Sequence, residues 1–430
     1  MIPDISDRFR MQAFLDWRGQ CSRLIRDRVG ARWPDHWRSG SLIVLSIACG
    51  WIGWSGEVLL LPVAILFPAL WAKSRSRLVA AVVSAGYFLA ASRGLPQGVA
   101  TFYAADLWPG LLLWLAASLS FAGVHAALWK RQSEGRSSGK RRPGIGRAAR
   151  YLAAAVLMGL PPFGITGWAH PLTAAGVLFP GWGWWGILMT TAGLAMMTSR
   201  YWPAVAIVLG GFWLWSALTW TTQNLPEGWK GVDLEQGQRL GRDGSLEYHR
   251  DLIATVRAAA GEKTRFVVLP ESALGFWTPT VERVWQESLR GSSLTVIAGA
   301  AVIDMQGYDN VIVGISADKA RILYRERMPV PVSMWQPWLQ WTGQDGGARA
   351  HLFGNPFAEI DGQKIAPLIC YEQLILWPVL QSMLHSPTAI VATGNGWWTK
   401  GTSIVAIQKA SVIAWAKLFG LPVVVTAFNT

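Results

Sequence analysis

Seven apolar runs occupy residues 42–56, 58–72, 78–92, 109–129, 151–168, 174–197 and 202–220. Each lies at or near the roughly 20 residues that carry a helix across a bilayer. They predict a polytopic α-helical membrane domain of about seven spans, with Glu57 at a hairpin tip between the first two. After Trp220 the pattern changes. Short apolar runs at 266–269, 295–301, 311–316, 365–370, 389–393 and 423–427 alternate with amphipathic stretches near 246–260, 278–290, 373–384 and 402–419. The short runs have strand length and little charge, so they read as buried strands of a layered α/β domain. Gly420 is placed to end the last helix. The expected organisation is a basic tail over 1–41, a helical membrane domain over 42–220 and an α/β domain over 221–430.

Composition supports a membrane protein. Hydrophobic residues make up 51% of the chain and charged residues only 15%, against about 25% charged in an ordinary soluble domain. The net charge of +13 is concentrated beside the apolar runs. Residues 130–150 hold eight basic side chains against Glu134 alone. That distribution follows the bias of basic residues toward cytoplasmic loops and anionic lipid. Membrane lipid is therefore the expected partner, and no direct nucleic-acid contact is expected. With every basic loop inside, seven spans leave residues 221–430 on the far side, which in the inner membrane of a Gram-negative cell is the periplasm. Fusion of the first two runs into one helix would reverse that side. The first run follows a long charged tail and is expected to stay as an anchor. Cys21, Cys49 and Cys370 are too widely separated to form a disulfide framework.

Two strand ends carry the chemistry. Glu271 follows the run ending Val268-Leu269-Pro270, and Cys370 closes Pro367-Leu368-Ile369. Reactive groups converge at strand ends in α/β domains. A cysteine nucleophile needs a base to take its proton and a cation to favour the thiolate. A lone cysteine after a buried strand is ordinarily core, so the second motif matters. No phosphate loop, dinucleotide fingerprint or metal-ligand spacing is convincing, and no cofactor or metal is expected.

The segments Leu269-Pro270-Glu271-Ser272, Tyr308-Asp309-Asn310, Tyr324-Arg325-Glu326 with Val330-Pro331, Ile369-Cys370-Tyr371-Glu372 and Gly394-Asn395-Gly396-Trp397 resemble the nitrilase, or carbon–nitrogen hydrolase, superfamily. With the helical half in front, the chain is similar to apolipoprotein N-acyltransferase and to membrane proteins of plasmid conjugal transfer. The resemblance implies an αββα sandwich, a Glu–Lys–Cys triad with Glu271 as base and Cys370 as nucleophile, and either Cys-dependent amide hydrolysis or N-acyl transfer to a lipoprotein or peptide. It also implies work beside other conjugation proteins. The lysine is missing: its slot falls on Glu326, flanked by Arg325 and Arg327, and Arg327, or else Arg325, is the expected replacement. Glu372 is expected to bind or orient at the site. Trp335 and Trp338, with Trp341, are expected to bind an acyl chain on a loop beside it. The chain stops at a strand end, so an incomplete C-terminal edge is expected. The competing reading is a catalytically inactive nitrilase-like docking component of the conjugation apparatus.

Overall fold

The computed structural model describes residues 35–130, 145–222, 224–344, 346–424 and 428–429. Most of the basic tail and most of the basic segment after residue 130 lie outside them, as does Cys21. Residues 43–430 form one compact unit.

The apolar half is helical, but several of its helices are shorter than the runs that predict them. They are α1 (Asp35–Gly53), a 3-10 segment Val58–Leu66 leading into α2 (Phe67–Lys73), α3 (Arg77–Ala91), α4 (Leu95–Tyr103), α5 (Leu107–Leu128), α6 (Ile145–Gly159), α7 (Ala175–Leu178), α8 (Gly183–Met197) and α9 (Trp202–Leu218). Among the described residues α5 is the one continuous helix long and apolar enough to cross a membrane. α3 and α4, bent by 51°, make a second candidate if counted together. Pro62 sits inside the 3-10 segment, and α6 stops at Gly159 before Pro161 and Pro162. Proline removes a helical donor and crowds the preceding turn, which explains why runs uniform in hydropathy are broken in structure. The chain does turn between the first two runs, around Gly56 and Glu57. α4 lies where no element was expected.

The remainder is built on two sheets. β1 (Trp229–Gly231), β2 (Phe266–Val268), β3 (Thr295–Asp304), β4 (Gly307–Ile315) and β5 (Ala320–Arg325) run in that order; the first three are parallel and the last two antiparallel additions. The second sheet pairs β6 (Ala358–Ile360), β7 (Gln363–Ile369) and β8 (Ala389–Asn395), with β9 (Val423–Val424) and β10 (Phe428–Asn429) along the outer side of β8. Side chains alternate faces along a strand, and here both faces are buried. Ile297 and Ile312 point with Ile365 and Val391 into a core between the sheets. Val296 and Val313 point the other way, onto Leu252 and Trp285. Those two belong to α10 (Leu246–Ala259) and α11 (Pro279–Leu289).

The second sheet is covered by α13 (Leu376–Met383) and α14 (Ile404–Phe419); the short α12 (Trp338–Trp341) precedes them. α14 also packs on the helical half. Gly176 in α7 lies so close that a Cβ there would stand 1.7 Å from the Ala414 carbonyl oxygen. Only glycine permits that approach, and it ties the apolar helices to the sandwich.

Where an incomplete C-terminal edge was expected, β10 has a partner among the described residues. The chain leaving β1 crosses to the second sheet, where Leu234 N–H donates to Phe428 O at 3.0 Å and Asn429 Oδ1 accepts from Gln236 N–H at 2.8 Å. A segment earlier in sequence thus pairs with β10.

Candidate functional site

β2 ends at Val268, and the chain turns at once through Pro270, Glu271 and Ser272, the last at φ +64°. The turn lies directly on β3. A Cβ at Gly299 would stand 2.5 Å from Glu271 Cα, so glycine is required there. Cys370 follows β7 at φ +43°, in a 3-10 turn (Cys370–Gln373). A left-handed conformation at a non-glycine residue is costly and concentrates at functional sites. The two turns face each other. Cys370 and the Glu271 carboxylate stand close enough to act on one another electrostatically, and both line the same cavity. Glu271 Oε1 accepts from Asn310 Nδ2 at 2.7 Å, and Oε2 from Asn395 N–H at 3.0 Å. Asn395 is in turn held by Asn429 at 2.9 Å.

The same Asn310 amide donates to Glu326 Oε2 at 2.8 Å. Glu326 is completely buried and its Oε1 has no hydrogen-bond partner. Burial pushes its carboxyl well above the usual range, and the nearby Glu271 and Glu372 charges push the same way. Burial likewise raises Glu271, against the donors that favour its charged form. Burial, then Glu271 and Glu326, hold the Cys370 thiol well above its ordinary range. Gln408 Nε2 donates to Cys370 O at 2.9 Å and lies 3.8 Å from Sγ. Among the described residues the charged groups acting on this thiol are carboxyls.

Arg327 does not replace the lysine. Its side chain is fully buried and turned into the layer below: Nη1 donates to Pro378 O at 2.9 Å and Gln381 Oε1 at 3.0 Å, and Nη2 donates to Ser382 Oγ at 3.0 Å. Nε lies 3.6 Å from Glu372 Oε1. Consecutive residues after β5 point in different directions, so the residue beside the slot does not reach what the slot reaches. Arg325 pairs with Asp309. Glu372 is a positioning group rather than a binding one: it accepts from Ile369 N–H, Arg327 N–H and Tyr324 OH at 2.7–2.8 Å. It thereby fixes the turn that carries Cys370.

Glu271 and Cys370 open onto a cavity of about 360 Å³. One wall comes from the helical half: Leu95, Val99 and Phe102 of α4 and Leu113 of α5. Trp397 and Trp398 pack against α4, with the Trp397 ring stacked on Phe102 at 5.8 Å, and Arg242 is the single cation among the lining residues. Trp335 and Trp338 are not on the wall. A tight turn pairing Pro331 with Trp335 sends Ser333 and Met334 inward instead. Trp338 and Trp341 are exposed beyond the rim. The α4 wall was missed because the sequence between two apolar runs carried no span signal. Asn310 and Asn395 were present in the family motifs, although Asn395 reads first as a turn residue. Gln408 carried no signal.

The carbon–nitrogen hydrolase family model matches residues 89–417, most of the chain. The conjugal transfer protein TraB of Agrobacterium fabrum is 73% identical over all 430 residues, covering both chains completely. The chain belongs to the TraB conjugal transfer family. A probable TraB of Sinorhizobium fredii is 62% identical over 396 residues, 92% of this chain and 99% of that one. An amidase of the nitrilase superfamily from Nesterenkonia overlays with a TM-score of 0.35 at 10% identity, covering 48% of this chain and 78% of the amidase. A carbon–nitrogen hydrolase from Helicobacter pylori overlays at 0.33 with 14% identity, covering 45% and 70%. Family membership rests on the sequence matches. The TraB-family chain is thus a conjugal transfer protein containing a carbon–nitrogen hydrolase domain with a nitrilase-like fold.

Proposed function

We propose that this chain is a seven-span inner-membrane component of plasmid conjugative transfer whose nitrilase-like domain, on the periplasmic side, uses Cys370 and Glu271 for amide hydrolysis or N-acyl transfer. The observation that carries the reading is that Cys370 and Glu271 together line a cavity walled by α4 and α5. As Sγ attacks an acyl carbonyl, its proton passes to Glu271, the S–C bond forms and the carbonyl pair moves to oxygen. Collapse breaks the bond to the leaving group, which takes the proton from Glu271. Water or an amine then attacks the thioester and reverses the sequence. The apolar wall suits an acyl chain drawn from membrane lipid. Exposed Ile207, Leu214 and Leu218 on α9 and Leu112 and Leu119 on α5 suit a lipid-facing belt. The exposed Trp338 and Trp341 suit the bilayer interface.

The direct test is capture of an alkyne-tagged acyl probe by the purified protein in nanodiscs, with the adduct cleaved by hydroxylamine. Labelling that survives in Cys370→Ala unchanged would remove the chemistry. A reporter fused to the C-terminus tests the location; a cytoplasmic readout would overturn it.

A second reading has its own observation. With Glu326 in the lysine slot and Arg327 paired to Glu372, no cation among the described residues stands in the lysine's place beside the thiol, and Arg242 lies elsewhere on the cavity wall. The domain then serves as a docking module for other conjugation proteins. Full plasmid transfer by Cys370→Ala and Glu271→Gln strains would select this reading over the first.

A further inference from the structure

Glu271 and Glu326 reach the same Asn310 amide, at 2.7 and 2.8 Å, and both are buried. Two carboxylates facing one neutral amide away from water cannot both keep a charge cheaply. The pair must hold a proton, and the hydrogen bonds decide where. Glu271 accepts from two donors, one on each oxygen: Asn310 at 2.7 Å and the Asn395 N–H at 3.0 Å. Glu326 accepts from Asn310 alone, and its second oxygen is sealed without a partner. Hydrogen bonds to a carboxylate favour its charged form, so charge settles where donors are most numerous. The remaining groups do not reverse this. Tyr308 on β4 senses both acids as a neutral phenol. Glu372 is already paired with Arg327, which faces away.

We propose that Glu326, standing where the family pattern has a lysine, keeps the proton of a buried acid pair and so leaves Glu271 as the ionised base for the Cys370 thiol. Glu326 acts through Asn310 and does not line the cavity, so it is a positioning residue. The proposal deepens the reading of Cys370 and Glu271 as thiol and base, and it gives the site a different means of charge balance: a retained proton in place of a fixed cation. It also explains why an acidic side chain is tolerated at the slot. A neutral acid adds no second negative charge beside the base.

Infrared spectroscopy of the full-length protein in nanodiscs at neutral pH reads the proton directly. The carbonyl stretch of a buried, protonated carboxylic acid is expected in the wild type, retained in Glu271→Gln and lost in Glu326→Gln. Loss in Glu271→Gln with retention in Glu326→Gln would overturn the assignment. Absence of the band in the wild type would overturn it even if a variant failed to fold, which circular dichroism would reveal. The outcome is independent of acyl capture: the band present without Cys370 labelling removes only the use of the base, whereas labelling without the band removes only the proton assignment.

Discussion

Arg327 and Glu372 form an ion pair with both side chains fully buried, Nε standing 3.6 Å from Oε1. Tyr324 OH bridges them, accepting from Arg327 Nε and donating to Glu372, both at 2.7 Å. The pair lies beneath the Cys370 turn and holds it in place. Removing one partner leaves the other charge buried and uncompensated, a loss of about 3–5 kcal/mol. Arg327→Met and Glu372→Gln are each expected to lower the thermal midpoint sharply, and the double variant to lose much less than the sum. Additive losses in a thermal double-mutant cycle would show that the pair is not coupled.

Glu326 gives stability a pH dependence of definite sign. Its carboxyl is raised above the ordinary 4.5 by burial first and by Glu271 and Glu372 next. Below that ordinary value the folded and unfolded chains both hold the proton. Above it the unfolded chain releases a proton that the folded chain retains, so this group's contribution declines as pH rises toward the folded value. Glu326→Gln cannot ionise and escapes the decline. Its thermal midpoint relative to wild type is expected to climb between pH 5 and pH 8. A constant difference across that window would contradict the buried, raised carboxyl.

Glu326→Lys asks what a cation at the slot does. An ammonium there meets Asn310 and Glu271 in place of a carboxyl and favours the Cys370 thiolate. Each unit by which the thiol falls yields roughly tenfold more thiolate at neutral pH. Iodoacetamide alkylation of Cys370 at pH 7, followed by mass spectrometry, is expected to rise by about tenfold or more. An unchanged rate in the folded variant would show that position 326 has no electrostatic hold on the thiol.

The sandwich was legible because its strands are apolar on both faces. The runs at 266–269, 295–301 and 389–393 therefore stood out, and Gly420 at φ +66° does end α14. β1, β5 and β6 were missed because they are short or carry charge: Lys230, Arg321 and Glu359 interrupt the pattern. Glu271 and Cys370 were legible as strand-end residues. The direction of Arg327 was not, since one residue of register decides between Asn310 and the layer below. The helical half shows a related limit. Hydropathy marks what is apolar but does not mark where Pro62 or Pro161 breaks a helix.

The cavity wall separates acyl recognition from thiol reactivity. Val99 on α4 lines the same space as Cys370 and Glu271, and its side chain carries no charge or hydrogen-bonding group to act on the thiol. Val99→Trp fills part of the roughly 360 Å³ with a rigid ring. A long-chain acyl probe needs that volume, whereas iodoacetamide needs only access to Sγ. Long-chain capture is expected to fall by about tenfold, the equivalent of ~1.4 kcal/mol of lost binding, while iodoacetamide alkylation stays within about twofold. Chain-length dependence tightens the test: probes of two to four carbons should be affected least. Equal loss for short and long probes would mean that α4 closes the entrance rather than housing the chain, and loss for neither would place the acyl path along another wall.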